Sequence, residues 1–236
     1  MGVYLETTST IDGAPLWVGA TLTSTNRKTG LVVQTYIIRS DVPPTEAARS
    51  GLDASVCGDC VHRPTLAKAA GAARCYVNLG HGPRAVWGAI ARGSYMRVDA
   101  HGLGGYCAGR FLRLGSYGDP GAVAAELWHP ALEACAAWTG YTHRWRDTGR
   151  ELRGVCMASV DSPAERDEAR AAGWSTFRVA RGGTDEARAR GEARCPASVE
   201  AGARVQCVSC PIACNGMGLS VSILDHGPGG IARRLA

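Results

Sequence analysis

Lysine is almost missing from this chain: only Lys28 and Lys68 stand against twenty-four arginines. Arginine offers phosphate a planar, bidentate donor pair, so the skew permits a nucleic-acid partner. Coding in a GC-rich genome gives the same skew, and the abundance of alanine and glycine supports that origin. Composition therefore names no partner by itself. Long apolar runs are also missing, with no stretch near the 18 or so uninterrupted apolar residues of a membrane helix. The opening Met1-Gly2-Val3-Tyr4-Leu5-Glu6 lacks the basic and apolar regions of a secretory leader, so a cytosolic, reducing compartment is expected. There is no low-complexity linker and no clear internal repeat. The 236 residues, 45% hydrophobic and 20% charged with a net charge of +5, are enough for one large or two small globular domains.

What the chain does have is cysteine. Seven of its ten cysteines fall into two groups, Cys57-x2-Cys60-x14-Cys75 and Cys195-x11-Cys207-x2-Cys210-x3-Cys214. Thiolates two residues apart can turn toward one centre, and a more distant ligand closes the site from another segment. In a reducing compartment this favours bound metal over disulfides. The first group is one ligand short of a tetrahedral site, and His62 and His81 flank it as candidates. His226 is a further candidate for the second group. Four cysteines suit zinc, with a four-iron cluster as the alternative. Cys107, Cys135 and Cys156 read as ordinary buried small residues.

The rest of the pattern alternates short apolar runs with helical segments. Strands are predicted at Leu31–Ile38, Arg74–Leu79, Arg110–Leu114, Thr139–Thr142, Leu152–Val160, Ser175–Val179 and Leu219–Leu224, with a short piece around Arg194–Pro196. Helices are predicted at Thr45–Ser50, Pro83–Arg92, Gly121–Trp138 and Ser162–Ala172, the last with a serine cap and a proline in its first turn. About eight strand–helix units imply an α/β fold. The expectation is one compact (β/α)8 TIM-like barrel domain over 1–236, with metal-binding segments near 57–75 and 195–214. An open doubly wound sheet is the alternative.

A barrel gathers its chemistry where strands end, and three predicted junctions are rich in polar groups. Arg113-Leu-Gly-Ser116-Tyr117-Gly118-Asp119-Pro120 is one, and Gly140-Tyr141-Thr-His143-Arg144-Trp145-Arg146 is another. The third is Met157-Ala-Ser159-Val-Asp161-Ser162. The catalytic candidates are Asp119, Asp161 and His143. Ser116, Tyr117, Gly118, Tyr141, Arg144, Trp145 and Ser159 are candidates for holding a flat base and a phosphate, with Arg146 beside them. Each aspartate is equally well read as a turn or cap residue, and His143 as a structural hydrogen-bonding group.

These runs, together with Cys-Gly-Asp-Cys, Cys-Tyr-Val-Asn and Cys-Pro-Ala-Ser, resemble a group of small phage- and plasmid-encoded proteins over roughly residues 25–228. More distantly the chain resembles the phage DNA-guanine transglycosylases of the DpdA type, relatives of the tRNA-guanine transglycosylases. That resemblance implies a (β/α)8 barrel, a structural zinc and two catalytic aspartates, here Asp161 as nucleophile and Asp119 as acid/base or base-recognition residue. It also implies DNA as partner, a 7-deazaguanine such as preQ0 as incoming base, and the cytoplasm of a bacterial host. The chain departs from the family's C-x-C-x2-C zinc pattern, which it lacks, and it carries two cysteine groups instead of one. An iron–sulfur enzyme and a zinc-stapled, non-catalytic nucleic-acid-binding protein remain the alternatives.

Overall fold

The computed structural model describes residues 1–24, 26–67, 75–147, 151–180, 191–202 and 205–225. Arg74 and His226 lie outside these residues. The chain divides into two compact units. The first comprises residues 1–24 and 31–138, and the second residues 25–30 and 139–236.

The first unit begins with a hairpin of β1 (Gly2–Thr8) and β2 (Pro15–Thr21). Asp12-Gly13 turns the chain, with Gly13 at φ 75° and the Asp12 carboxylate accepting from the Ala14 amide at 3.1 Å. Val3 faces Ala20 and Leu5 faces Val18 across the pair, and all four are buried. Alternation thus sends one face of the hairpin into the core. β3 (Val33–Arg39) continues the meander antiparallel to β2.

After β3 come α1 (Pro44–Ser50), α2 (Ala54–Cys57), α3 (Pro64–Ala67) and α4 (Gly82–Ala91). These are followed by β4 (Met96–Arg97), α5 (Ala100–Cys107), β5 (Phe111–Tyr117), α6 (His129–Ala134) and β6 (Ala137–Thr139). The sheet order is β4-β1-β2-β3-β5-β6, with β1–β4 and β3–β5 parallel. Residues 75–79, expected as a strand, form none. The expected helix Gly121–Trp138 is broken into 3-10 turns at Pro120–Ala122 and Ala125–Leu127, then α6 and β6. Trp128 is the reason on the packing side: it is buried, with its indole N–H donating to the Pro120 carbonyl at 3.2 Å.

The second unit is an open, all-parallel sheet. It holds β7 (Tyr141–Thr142), β8 (Met157–Val160), β9 (Thr176–Ala180), β10 (Glu192–Arg194) and β11 (Ser220–Leu224) in the order β10-β11-β9-β8-β7. α7 (Pro163–Ala171) crosses from β8 to β9. Ser162 caps it by accepting from the Glu165 amide at 3.1 Å, and Glu165 in return accepts from the Asp161 amide at 2.8 Å. Both sheets make this an α/β protein, but neither closes on itself. The closed eightfold barrel expected from the alternation is not shown. The first sheet holds an antiparallel meander, and in the second β11 pairs directly with β9 where a barrel winding would place β10.

Arg178 on β9 and Glu192 on β10 flank β11 and meet in a bidentate ion pair, 3.0 and 2.8 Å, with both side chains fully buried. Arg97 and Glu6 form a pair of similar length, 2.7 Å, on the surface of the first unit. Removing one partner of a buried pair strands a charge, whereas an exposed pair contributes little. Glu192→Ala should therefore lower unfolding stability by about 3–5 kcal/mol, and Glu6→Ala by less than about 1 kcal/mol. Urea titrations of both variants check this, and equal losses would refute it.

Candidate functional site

The first cysteine group lies at the end of α2 and in the irregular backbone that follows, tied by backbone bonds. Cys57 ends α2, and the Cys60 amide donates back to the Cys57 carbonyl at 3.3 Å. The Cys75 amide donates to the His62 carbonyl at 2.9 Å, which brings the distant cysteine to the same loop. Arg63 organises that loop from inside. It donates twice to Asp53, at 3.0 and 2.7 Å, and also to the carbonyls of Gly58 and Gly51 at 2.8 and 2.7 Å. Burial pushes the Cys57 thiol well above its ordinary range, and the charges of Cys60, Cys75, Asp53 and Asp119 push it further. Cys75 is raised as well, mainly by burial. His81, at the start of α4, is exposed.

Asp119 lies beside this group, held by its own backbone. Its amide donates to the Val56 carbonyl at 2.7 Å, and its carboxylate accepts from the Gly121 amide at 2.9 Å. Ser116, Tyr117 and Asp119 are all buried in the first unit, Tyr117 with 6% of its surface exposed. Gly118, at φ 79°, turns the chain between Tyr117 and Asp119. Tyr117 is therefore part of the core of its unit and not an open platform for a base.

The second group surrounds one end of the parallel sheet. Cys195 follows β10 and joins Met157, Ala197, Val221 and Ile223 in a buried apolar cluster, against which Cys207 and Cys214 pack. Ionising Cys195, Cys207 or Cys210 would disfavour a further thiolate at Cys214. Burial is the main cause that carries the Cys214 thiol up to about 12, opposed by a hydrogen bond from the Tyr141 hydroxyl. Burial likewise raises Cys195, and the nearby Lys28 ammonium pulls it back. Lys28 and Thr29 are clipped to this loop: the amides of Cys207 and Val208 donate to their carbonyls at 3.0 and 3.1 Å. Between Cys210 and Cys214, Ala213 adopts φ 39°, a left-handed conformation that strains a residue with a Cβ.

Both groups have the chemistry of a thiolate metal centre, soft sulfur donors delivered from separate segments. Among the described residues neither group has three donor atoms within 4.8 Å of one another. Tetrahedral zinc, at 2.3 Å from each sulfur, needs spacings of about 3.8 Å. Binding would therefore draw the thiols of each group together.

A different pairing occurs at the carboxyl edge of the second sheet. His143 follows β7 and Asp161 follows β8, and these strands are adjacent and parallel. A ring nitrogen of His143 and a carboxylate oxygen of Asp161 lie within 4.8 Å of each other. Parallel sheets present ligands at this edge, where strand ends and following loops meet. Arg144 is engaged by Asp147, at 2.9 Å, and Arg146 lies 3.9 Å over the Trp145 ring while bonded to Glu168 at 2.8 and 2.7 Å. Trp145 itself is buried. Tyr141 stacks on Phe177 at 4.4 Å and serves Cys214, and Ser159 lies half-buried on β8. Of the three catalytic candidates, His143 and Asp161 thus belong to the second unit and Asp119 to the first.

Comparison with known protein families, with curated proteins and with solved structures returns no match. Among the described residues no helix is long and apolar enough to cross a membrane.

The raised thiols fix the direction of a pH effect. At pH 7 Cys195 and Cys214 hold their protons, and a metal binds only the thiolates, so binding must displace protons. Zinc added to the metal-free protein in weak buffer should release about one proton per ligating cysteine, and affinity should fall as pH falls. A pH-indicator titration reads this directly, and zinc uptake without proton release would exclude the cysteines as ligands.

Proposed function

We propose that the protein modifies a base in nucleic acid by transglycosylation, with Asp161 as nucleophile and His143 as its proton-transfer partner. The observation that carries this reading is the meeting of His143 and Asp161 at the carboxyl ends of adjacent parallel strands. The resemblance to DNA-guanine transglycosylases supplies the reaction class, with DNA and a 7-deazaguanine base as substrates.

In the first half-reaction an Asp161 oxygen bonds to the anomeric carbon of the deoxyribose while the bond from that carbon to the guanine nitrogen breaks. The departing nitrogen takes the electron pair and a proton from the His143 imidazolium. In the second half the incoming deazaguanine gives its ring N–H proton to His143, and its nitrogen bonds to the anomeric carbon. The ester to Asp161 then breaks and the carboxylate is restored. One residue takes and returns the proton, so charges balance over the cycle.

Cys195, Cys207, Cys210 and Cys214 would hold a structural zinc, which takes no part in these steps and fastens the loop between β10 and β11. The same four thiols also favour a second reading. A four-iron cluster suits four cysteines, of which Cys195, Cys207 and Cys214 lie in or against an apolar cluster, and it would make the protein an iron–sulfur enzyme.

Asp161→Asn should abolish base exchange, and His143→Ala should lower it by about a hundredfold or more. Both variants should keep their metal content and far-ultraviolet circular dichroism. Mass spectrometry of nucleosides from DNA incubated with a 7-deazaguanine measures the exchange. Near-normal turnover by Asp161→Asn would sink the mechanism. Anaerobic purification with zinc, iron and sulfide analysis separates the readings: a colourless zinc protein supports the first, and a brown one with stoichiometric iron and sulfide supports the second.

A further inference from the structure

We propose that Cys214 is a positioning residue for the His143–Asp161 pair, acting through Tyr141 and the start of β7. This deepens the transglycosylase reading and rests on it only for the reaction that the alignment serves.

β7 is a marginal strand. It has two residues, lies at the edge of its sheet and pairs with β8, and a strand that short supplies little register of its own. His143 follows it directly, so whatever holds Tyr141 and Thr142 also places the imidazole. Cys214 holds the start of β7 at three points. Its carbonyl accepts from the Gly140 amide and from the Thr139 hydroxyl, each at 3.0 Å. Its sulfur accepts from the Tyr141 hydroxyl. The Tyr141 ring lies against Phe177 of β9, centroids 4.4 Å apart, and both rings pack on the apolar cluster around Met157 and Val221, as Cys214 does. Those contacts keep the hydroxyl aimed at one place, so the ring and the sulfur move together. On the other side of the histidine, the Arg144 amide donates to the Thr142 hydroxyl at 3.0 Å and closes a turn around it. His143 is thus fixed between the Cys214 anchor and its own turn.

The loop that carries Cys214 is seated against β8 as well. Gly216 has φ 85°, and a Cβ there would collide with the Cys156 carbonyl, so only glycine fits. Cys156 immediately precedes β8, the strand that leads to Asp161. The next amide, that of Met157, donates to the Gly140 carbonyl at 2.9 Å. One short loop therefore sets the starts of both strands whose carboxyl ends carry the pair. A proton-transfer group must stand within hydrogen-bond reach of the atom it serves. A misplacement of about 1 Å is enough to slow a reaction by about a hundredfold. The anchoring of β7 by Cys214 is on the scale that decides whether His143 meets a group bound to Asp161.

A double-mutant cycle of Tyr141→Phe and Cys214→Ala in the full chain tests the link, because residues that act as one unit give non-additive effects. The His143 ring-proton resonance, identified by its loss in His143→Ala, is followed by NMR at fixed pH. Each single change should shift it, and the double change should shift it no further than the larger single one. In base exchange each single variant should lose about tenfold or more in kcat with KM unchanged, and the double variant should lose no more. A resonance left in place by Tyr141→Phe, or shifts that simply add, would overturn the proposal. Should Cys214→Ala fail to fold, Cys214→Val, which fills the same space without an acceptor, takes its place in the cycle. The NMR arm needs no turnover, so an absence of base exchange in the natural protein would refute the transglycosylase reading alone.

Discussion

Irregular backbone must be held by something other than its own ladder, and the segment between β10 and β11 is the clearest case in this chain. Its regular structure among the described residues amounts to 3-10 turns at Val199–Ala201 and Cys207–Ser209. What ties it to the sheet is the packing of Cys195, Cys207 and Cys214 on the apolar cluster around Met157 and Val221, together with the clip to Lys28 and Thr29. The order of the sheet depends on this, because β11 can insert between β9 and β10 only if the intervening segment folds back in one way. The buried Arg178–Glu192 pair spans the same insertion.

The sequence is most legible where local chemistry and tertiary context agree. Ser162 and Pro163 announce the start of α7, and Gly173 at φ 83° follows its end as expected. β8, β9 and β11 mix apolar residues with Ser159, Arg178 and Ser222 but keep a strand's β-branched and aromatic content, as does β3. The failures share a different cause. Residues 121–138 are rich in alanine and read as one helix, yet Pro120, Pro130 and the buried Trp128 divide them. The β1–β2 hairpin carries Val3, Tyr4, Thr7, Trp17 and Val18 around an Asp12-Gly13 turn, so its signal is present in the sequence although no strand is expected there. Alternating strands and helices also cannot report pairing direction, so the alternation read from Leu31 onward carries no sign of the antiparallel meander that precedes it.

The candidate site divides along similar lines. Cysteine spacing pointed to both thiol groups, since C-x2-C is a local signature. The strand-end rule pointed to His143 and Asp161, and it needs only that β7 and β8 be neighbours. The partners that organise the thiols were not legible. Arg63 and Asp53 meet across a loop, and Lys28 reaches Cys195 from a segment far away in sequence. Nothing local marks such residues. Asp119 is the instructive case: the sequence placed it at the end of a strand, but only the bond to Val56 reveals which residues it faces.

Residues 25–30 belong by contact to the second unit while both of their flanks belong to the first. The boundary between the units is therefore crossed more than once along the chain. A fragment that begins at residue 139 would leave the amides of Cys207 and Val208 without their acceptors on Lys28 and Thr29. The second unit is thus not a portable module that recombination could lift out in one continuous piece. Its cysteine-rich half and the amino-terminal strap must be inherited together, and a gene-fusion or truncation history for this protein has to keep both.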